Sequence, residues 1–317
     1  MEIILLNGTK DDPHIKGICE ELKAMKQNHF VLDNLSHSDV FSVDFKQGQY
    51  VSEINCRETK INLSNVKSIW NTSPLRVSIS NDLNDDSKPF VKAEWTEGIH
   101  SLWYSIKTKW VNHPDSIMSS VNRVNQLENA SKLGLLTPRT LVTNSPEKFE
   151  AFYNEFDGEI IAKTLHSSEG LPEDKMIFTT KITKKDLERK NELRYAPSMF
   201  QEYVKKKTEF RVTIVGNTIR AAEIYSQMSS KTKHDWRQYD DFQRTPYKEA
   251  TLPSDISKKL LKLMKLMKLE FGAADLIRTP DDEYVFLEIN PNGRWWWIQE
   301  LTGMNIAKDI AHHLSMA

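Results

Sequence analysis

A chain of 317 residues with 39% hydrophobic content is long enough to bury two domains or three small ones. Its net charge of -1 sets up no global field for nucleic acid or a membrane surface, and the short apolar run at residues 3–6, followed at once by polar residues 7–12, makes neither a signal peptide nor a membrane span. Two cysteines, Cys19 and Cys56, are too few for a metal cluster and fit a reducing compartment, so a cytoplasmic location is expected.

The chain opens as a βαβ-like unit: a buried strand over 2–7, a turn at Asn7-Gly8, a helix over 13–25 and a strand over 29–33. A glycine-containing hairpin over 43–54 and a strand over 66–71 follow, which suggests a small α/β domain over 1–85. Turn formers and acids at 80–88 read as a linker. Helices are expected over 90–109, with Trp95, Ile99, Leu102, Trp103 and Ile106 on one face, and from Asn112-His113-Pro114-Asp115 to Leu133, ended by Gly134. These make a helical segment at 86–135. Trp103, Tyr104 and Trp110 read as helix core or interface.

Residues 136–206 alternate strand and helix: strands at 140–142, 159–165, 175–180 and 198–204, with helices at 146–154 and 183–192. In the last unit, 207–317, strands at 209–215 and 218–226 flank Gly216-Asn217, a two-residue hairpin signal. Its register puts Glu209, Arg211, Thr213 and Arg220 on one face, either solvated or a binding surface. Residues 230–252 are polar and turn-rich, which marks a functional or mobile stretch. Helices are expected over 256–268 and 304–314. The lysines 205–207 read as a solvated turn.

Between those helices lies a second hairpin. Apolar and β-branched residues flank Thr279-Pro280-Asp281-Asp282-Glu283, and a turn centred between Asp281 and Asp282 sets Asp275 opposite Glu288, with Asn290 on the face of Glu288. Two facing carboxylates require a cation. Two acids and an amide are an oxygen-only donor set that suits Mg²⁺, with water and phosphate oxygens completing its octahedron. A nucleotide triphosphate is then the expected ligand. Lys163 ends a strand beside the Ser/Gly loop 166–170 and can reach phosphates, and no Walker motif is present. Of the three tryptophans 295–297, neither strand nor helix spacing buries all alike, so one is left to line a substrate mouth.

Gln201-Glu202-Tyr203-Val204 resembles an adenine-binding connector, and with Glu209 and Arg211 it resembles the ATP-grasp superfamily over most of the chain. That resemblance implies an α/β (α+β) ATP-grasp fold behind an N-terminal pre-ATP-grasp domain, using ATP and Mg²⁺. It implies Arg123 and Lys163 as phosphate contacts, residues 201–204 at the base, and Glu209 at the ribose. Arg211 then stands at the phosphate or acyl phosphate, and Asp275, Glu288 and Asn290 at magnesium. The strings FQEYVKKKTEFRVTIVG, HDWRQYD and FLEINPNGRWWWIQELTG are more closely similar to graspetide synthetases, which mature microviridin-type peptides. So are KSIWNTSP and WVNHPDSIMSSVNRVNQLENASKLGLLTP. Such enzymes activate an Asp or Glu side chain of a precursor peptide, and a Ser or Thr hydroxyl or a Lys amine of the same peptide closes a macrocycle. The resemblance implies a homodimer, a leader-plus-core peptide as partner, Arg237 on the acyl phosphate, and His234 or Asp235 as the base. His234 is otherwise a solvated loop histidine, and Trp236 a loop anchor packed on the core. The sequence departs from the pattern at Arg123, where lysine is usual, and at Asn71-Thr72-Ser73-Pro74, which lacks arginines. The rival expectations are a ligase of small amino acids and a silent nucleotide-binding module.

Overall fold

The computed structural model describes residues 2–57, 59–71, 75, 77–165, 178–233, 235–236 and 246–316. Asp12 accepts the His14 N–H and Pro13 fills the first helical position, so the turn after β1 (Ile3–Asn7) runs directly into α1 (Pro13–Ala24). Strands β2 (His29–Leu32), β3 (Leu35–Ser36), β4 (Val40–Lys46), β5 (Gln49–Cys56), β6 (Thr59–Asn62), β7 (Val66–Asn71) and β8 (Val77–Ser78) follow, then helix α2 (Lys88–Ser105) and β9 (Lys109–Val111). The helix expected to reach residue 109 thus stops at Ser105. Its last residues turn extended at Ile106, and β9 joins a parallel sheet in the order β2-β1-β7-β9.

Beyond it lie α3 (Pro114–Ser120), α4 (Arg123–Lys132), β10 (Thr140–Thr143), α5 (Pro146–Glu155), β11 (Ile160–Lys163), β12 (Thr180–Lys181), α6 (Lys184–Glu188) and β13 (Ser198–Glu202). The single helix expected up to Leu133 is two. Asn122 leaves the helical region and its side chain accepts the Asn125 N–H, which starts α4 afresh with Arg123 in its first turn. The antiparallel sheet β10-β13-β11-β12 forms one half of the remaining fold.

The other half is the antiparallel sheet β16-β15-β14-β17-β18, built from β14 (Thr208–Val215), β15 (Thr218–Ile224), β16 (Tyr247–Ala250), β17 (Phe271–Arg278) and β18 (Tyr284–Asn290). Helices α7 (Ser254–Leu266), α8 (Trp296–Thr302) and α9 (Ile306–Ser315) complete the chain. Strand β16 and helix α8 were not legible in the sequence. One core packs α7 and α4 on Phe210, Val212, Ile214 and Leu276. Another joins Ile15, Ile18 and Leu22 of α1 to Ile306, Ile310 and Leu314 of α9 and to Val215 and Phe271 of the sheet. Gly17 of α1 makes room for α8, because a Cβ there would lie 2.3 Å from the Trp296 ring. Of the tryptophan run, Trp295 is core, while Trp296 and Trp297 pack partly buried against it. None of the three lines the main cleft. Among the described residues no helix is long and apolar enough to cross a membrane.

Candidate active site

The two antiparallel sheets face each other across a cleft of about 770 Å³, mouth included, within the usual range of ligand sites. Its floor is the hairpin β17-β18. Asp275 does pair with Glu288, but not because the turn sits where alternation alone puts it. The turn closes one residue earlier, with Arg278 opposite Tyr284, and a bulge at Leu287 restores the register before Glu288. Phe286 and Ile289 therefore both enter the core, while Leu287 and Glu288 both line the cleft.

Each carboxylate holds an arginine. Arg211 lies opposite Asp275 on β14, and its Nη1 is 3.1 Å from both Asp275 oxygens, with Nη2 reaching the Arg294 carbonyl at 3.3 Å. Gly293 makes room for that guanidinium: a Cβ there would lie 2.7 Å from Arg211 Nη2 and 2.3 Å from the Ala273 Cβ. Arg123 Nε donates to Glu288 Oε2 at 2.7 Å, and its Nη1 donates to the Thr164 carbonyl across the cleft. Gln126, one turn further along α4, fixes this reach. It donates to the Ser120 carbonyl at 2.6 Å and to that of Ile289 at 2.8 Å, and accepts the Ile289 N–H at 2.8 Å.

Asn290 stands opposite Ala273, exposed, its Oδ1 accepting the Asn292 N–H at 2.9 Å. Among the described residues no group of three or more His, Cys, Asp and Glu side chains is placed to hold a metal. The donor set here is instead two carboxylates and an amide oxygen. Carboxylate oxygens keep lone pairs beyond those given to a guanidinium, so Asp275, Glu288 and Asn290 fit Mg²⁺ completed by water and phosphate oxygens.

The opposite wall carries Lys163 at the end of β11, with Gln201 and Glu202 of β13 and Tyr203 and Val204 just beyond. Gln201 Nε2 donates to Thr140 Oγ1 at 2.9 Å, while its buried Oε1 has no hydrogen-bond partner among the described residues. The Glu202 carboxylate accepts the Arg139 N–H at 3.1 Å, and Lys181 Nζ lies 5.1 Å from the Tyr203 ring centre.

At the inner end, Glu209 is 4% exposed. It accepts from Lys206 Nζ at 3.0 Å and from Ser226 Oγ. Burial pushes its carboxyl above the usual range, against the pull of Lys206 and Ser226. Lys206, expected in a solvated turn, is a buried partner with a side chain 6% exposed. The sequence leaves the Glu209 face either solvated or a binding surface, so the burial that demands a cation there is visible only in the fold. Asp235 also lines the cleft, its Oδ2 accepting the Thr179 N–H at 3.0 Å. Trp236 is buried against Trp297, with the Arg211 guanidinium 6.0 Å from its ring centre. His234, Arg237 and the loop 166–170 lie outside the described residues.

Arg220 pairs with Asp309 of α9 at 2.6 Å and is structural. Trp103 and Trp110 are core, but Tyr104 is exposed and donates to Asp115. Sequence reasoning also missed Asn112. Its amide binds the Glu270 and Phe271 N–H groups and the Phe271 and Pro291 carbonyls, all within 2.7–2.9 Å, and so anchors the loop that follows Asn290.

Residues 121–314 match the family model of the RimK-like ATP-grasp domain. The whole chain superposes on macrocyclase MdnC bound with precursor peptide MdnA from Microcystis aeruginosa MRC, at 29% identity and TM-score 0.85, covering 100% of both chains. It also superposes on a Chryseobacterium gregarium RiPP-associated ATP-grasp ligase in complex with ADP and a leader and core peptide. That match has 27% identity and TM-score 0.91, covering 100% of this chain and 97% of the other. Macrocyclase MdnB from Microcystis aeruginosa MRC is 26% identical, with TM-score 0.81 and full coverage of both chains. A search of curated protein sequences finds no match.

Proposed function

Because the chain belongs to the RimK-like ATP-grasp family and is thereby an ATP-dependent ligase, we propose that its substrate is a ribosomally made precursor peptide, which it closes into ω-ester or ω-amide macrocycles. The observation that carries this reading is the end-to-end likeness to a macrocyclase bound with its precursor peptide and to a RiPP-associated ligase holding ADP with leader and core. A homodimer in the cytoplasm belongs to the same reading.

In this reading an Asp or Glu carboxylate of the peptide attacks the γ-phosphorus, the bond to the bridging oxygen breaks, and ADP leaves. A Ser, Thr or Lys side chain then attacks the acyl carbon, inorganic phosphate departs, and a base takes the proton. One water is lost per bond formed. Lys163, Arg123 and Arg211 face the phosphoryl group and offset its charge, a stabilisation largest where water is excluded. Gln201, Glu202, Tyr203 and Val204 receive the base and Glu209 the ribose hydroxyls. Asp275, Glu288 and Asn290 would hold Mg²⁺, which supplies Lewis-acid neutralisation of the phosphates when bound. Asp235 lines the cleft, where a proton acceptor is needed, and the resemblance adds His234 to that role and Arg237 to holding the acyl phosphate.

The test is the intact mass of a small acidic candidate precursor peptide containing Ser, Thr or Lys, after incubation with the protein, ATP and Mg²⁺. Loss of one water mass per bond, abolished in Glu288→Gln, is expected. An unchanged mass with ATP consumed on free amino acids would instead make the chain a small-molecule ligase, and no ATP use would leave a binding module.

A further inference from the structure

The guanidinium of Arg123 reaches both walls of the cleft. Nε donates to Glu288 Oε2 on β18 at 2.7 Å, and Nη1 donates to the Thr164 carbonyl just past the end of β11. The two acceptors belong to different halves of the fold, since β18 lies in the sheet with β14 and β17, and β11 in the sheet with β10 and β13. Arg123 itself starts α4, which Leu127 and Ala130 fix to the core beneath α7. A planar guanidinium has donors pointing in several directions and holds both acceptors at once, so the bond to Thr164 keeps the charge in place beside Glu288.

The two arginines of the acidic hairpin differ in how firmly they are held. Arg211 and Asp275 face each other within one sheet, their side chains 8% and 11% exposed, and the register of β14 and β17 keeps them together. Arg123 and Glu288 are each 21% exposed and come from a helix and a strand that no ladder joins. The pair that can part is therefore Arg123 with Glu288. Parting leaves two poorly solvated charges, so each partner needs a replacement. Phosphate oxygens replace the carboxylate for the guanidinium, and a divalent cation replaces the guanidinium for Glu288. Glu288 keeps lone pairs for a metal while Arg123 is bound, but the guanidinium charge then stands beside the metal, and like charges so close repel.

We propose that Arg123 is an exchangeable counter-cation of the metal site: it opposes a divalent cation at Glu288 until nucleotide phosphates draw it away. Metal and nucleotide then load the cleft together. This deepens the function proposed above and rests on the metal and phosphate roles given there. The coupling is reciprocal, so whatever removes Arg123 from Glu288 strengthens the hold on a metal without nucleotide, and whatever removes the Glu288 charge releases Arg123 to phosphates without metal.

Free Mn²⁺, followed by its EPR signal, is titrated against the full chain in the absence of nucleotide. Arg123→Met is expected to bind Mn²⁺ roughly tenfold or more tightly than the wild type, the usual size of a coupling between two sites. Adding Glu288→Gln should abolish the gain. In EDTA, Glu288→Gln should bind ATP more tightly than the wild type by calorimetry, and that gain should shrink when Arg123→Met is added. Arg123→Gln serves the same comparisons if circular dichroism shows Arg123→Met to be unfolded. Equal Mn²⁺ affinity in wild type and Arg123→Met, a gain that survives Glu288→Gln, or an ATP gain that is the same with and without Arg123 overturns the exchange and leaves the metal site standing. Failure of every form to bind Mn²⁺, with a non-hydrolysable ATP analogue present or not, overturns the exchange together with the assignment of Asp275, Glu288 and Asn290 to the metal. The peptide substrate is judged separately, by the mass measurement.

Discussion

Arg211 and Asp275 stand directly opposite each other on neighbouring strands, with one guanidinium nitrogen 3.1 Å from both carboxylate oxygens. Their side chains are 8% and 11% exposed, so removing one member leaves the other charge uncompensated in a dry setting. Asp275→Ala is expected to cost about 3 kcal/mol in urea denaturation. The paired change Arg211→Met with Asp275→Leu should recover part of that loss. Neither variant should turn over ATP.

Gln126 satisfies both the N–H and the carbonyl of Ile289. Gln126→Leu strands these groups and is expected to cost about 2 kcal/mol in thermal or urea unfolding. Because Arg123 is aimed by the same helix, the variant should also raise the KM for ATP. An unchanged KM would mean that Arg123 finds Glu288 without that anchor.

The pairing of Glu209 with Lys206 predicts a pH dependence of defined sign. Burial places the folded-state pKa of Glu209 above its unfolded value. The linked stability is therefore complete below the ordinary carboxylate pKa and is lost as pH rises through the raised value. Lys206→Met removes the cation that restrains the rise. Its urea midpoint should fall increasingly below that of the wild type as pH rises above the ordinary carboxylate range.

His14 gives the opposite slope. Its folded pKa lies below the ordinary value of 6.5, so the unfolded chain binds more protons in the interval between the two. Stability is present above about pH 6.5 and is lost as pH falls through the folded pKa. Tm measured against pH should decline on the acid side in the wild type, and the part due to His14 should vanish in His14→Gln.

Gly293→Ala puts a methyl group 2.3 Å from the Ala273 Cβ. Overpacking of this kind costs about 1–3 kcal/mol. The loop must shift away from Arg211, and ATP turnover should fall more than nucleotide binding when the two are measured side by side.

The acidic hairpin was legible because side-chain alternation is a property of the residues themselves. Its register survived two departures that offset each other, the earlier turn and the bulge at Leu287. The bulge was not legible, since no residue type announces that Leu287 and Glu288 share a face. Lys206 was misread because three adjacent lysines look solvated until Glu209 is known to be buried beside one of them. Strand β9 is three residues long, and its identity depends on pairing with β7, which local pattern does not encode. Gln126 and Asn112 act on backbone groups distant in sequence. Nothing near either residue signals those partners.

The packing of α9 on α1 bears on how the chain is made. Ser68 donates to the Leu314 carbonyl at 2.8 Å and Lys109 to that of His313 at 2.7 Å, so a sheet synthesised early is closed by a helix made much later. At roughly 5–20 residues per second, the apolar stripe of α1 waits on the order of tens of seconds for its cover. Premature termination anywhere before α9 would release a product with that stripe bare, a natural ligand for chaperones and a seed for aggregation. Expression yield should therefore be far more sensitive to truncation within α9 than to changes within the exposed β4-β5 hairpin.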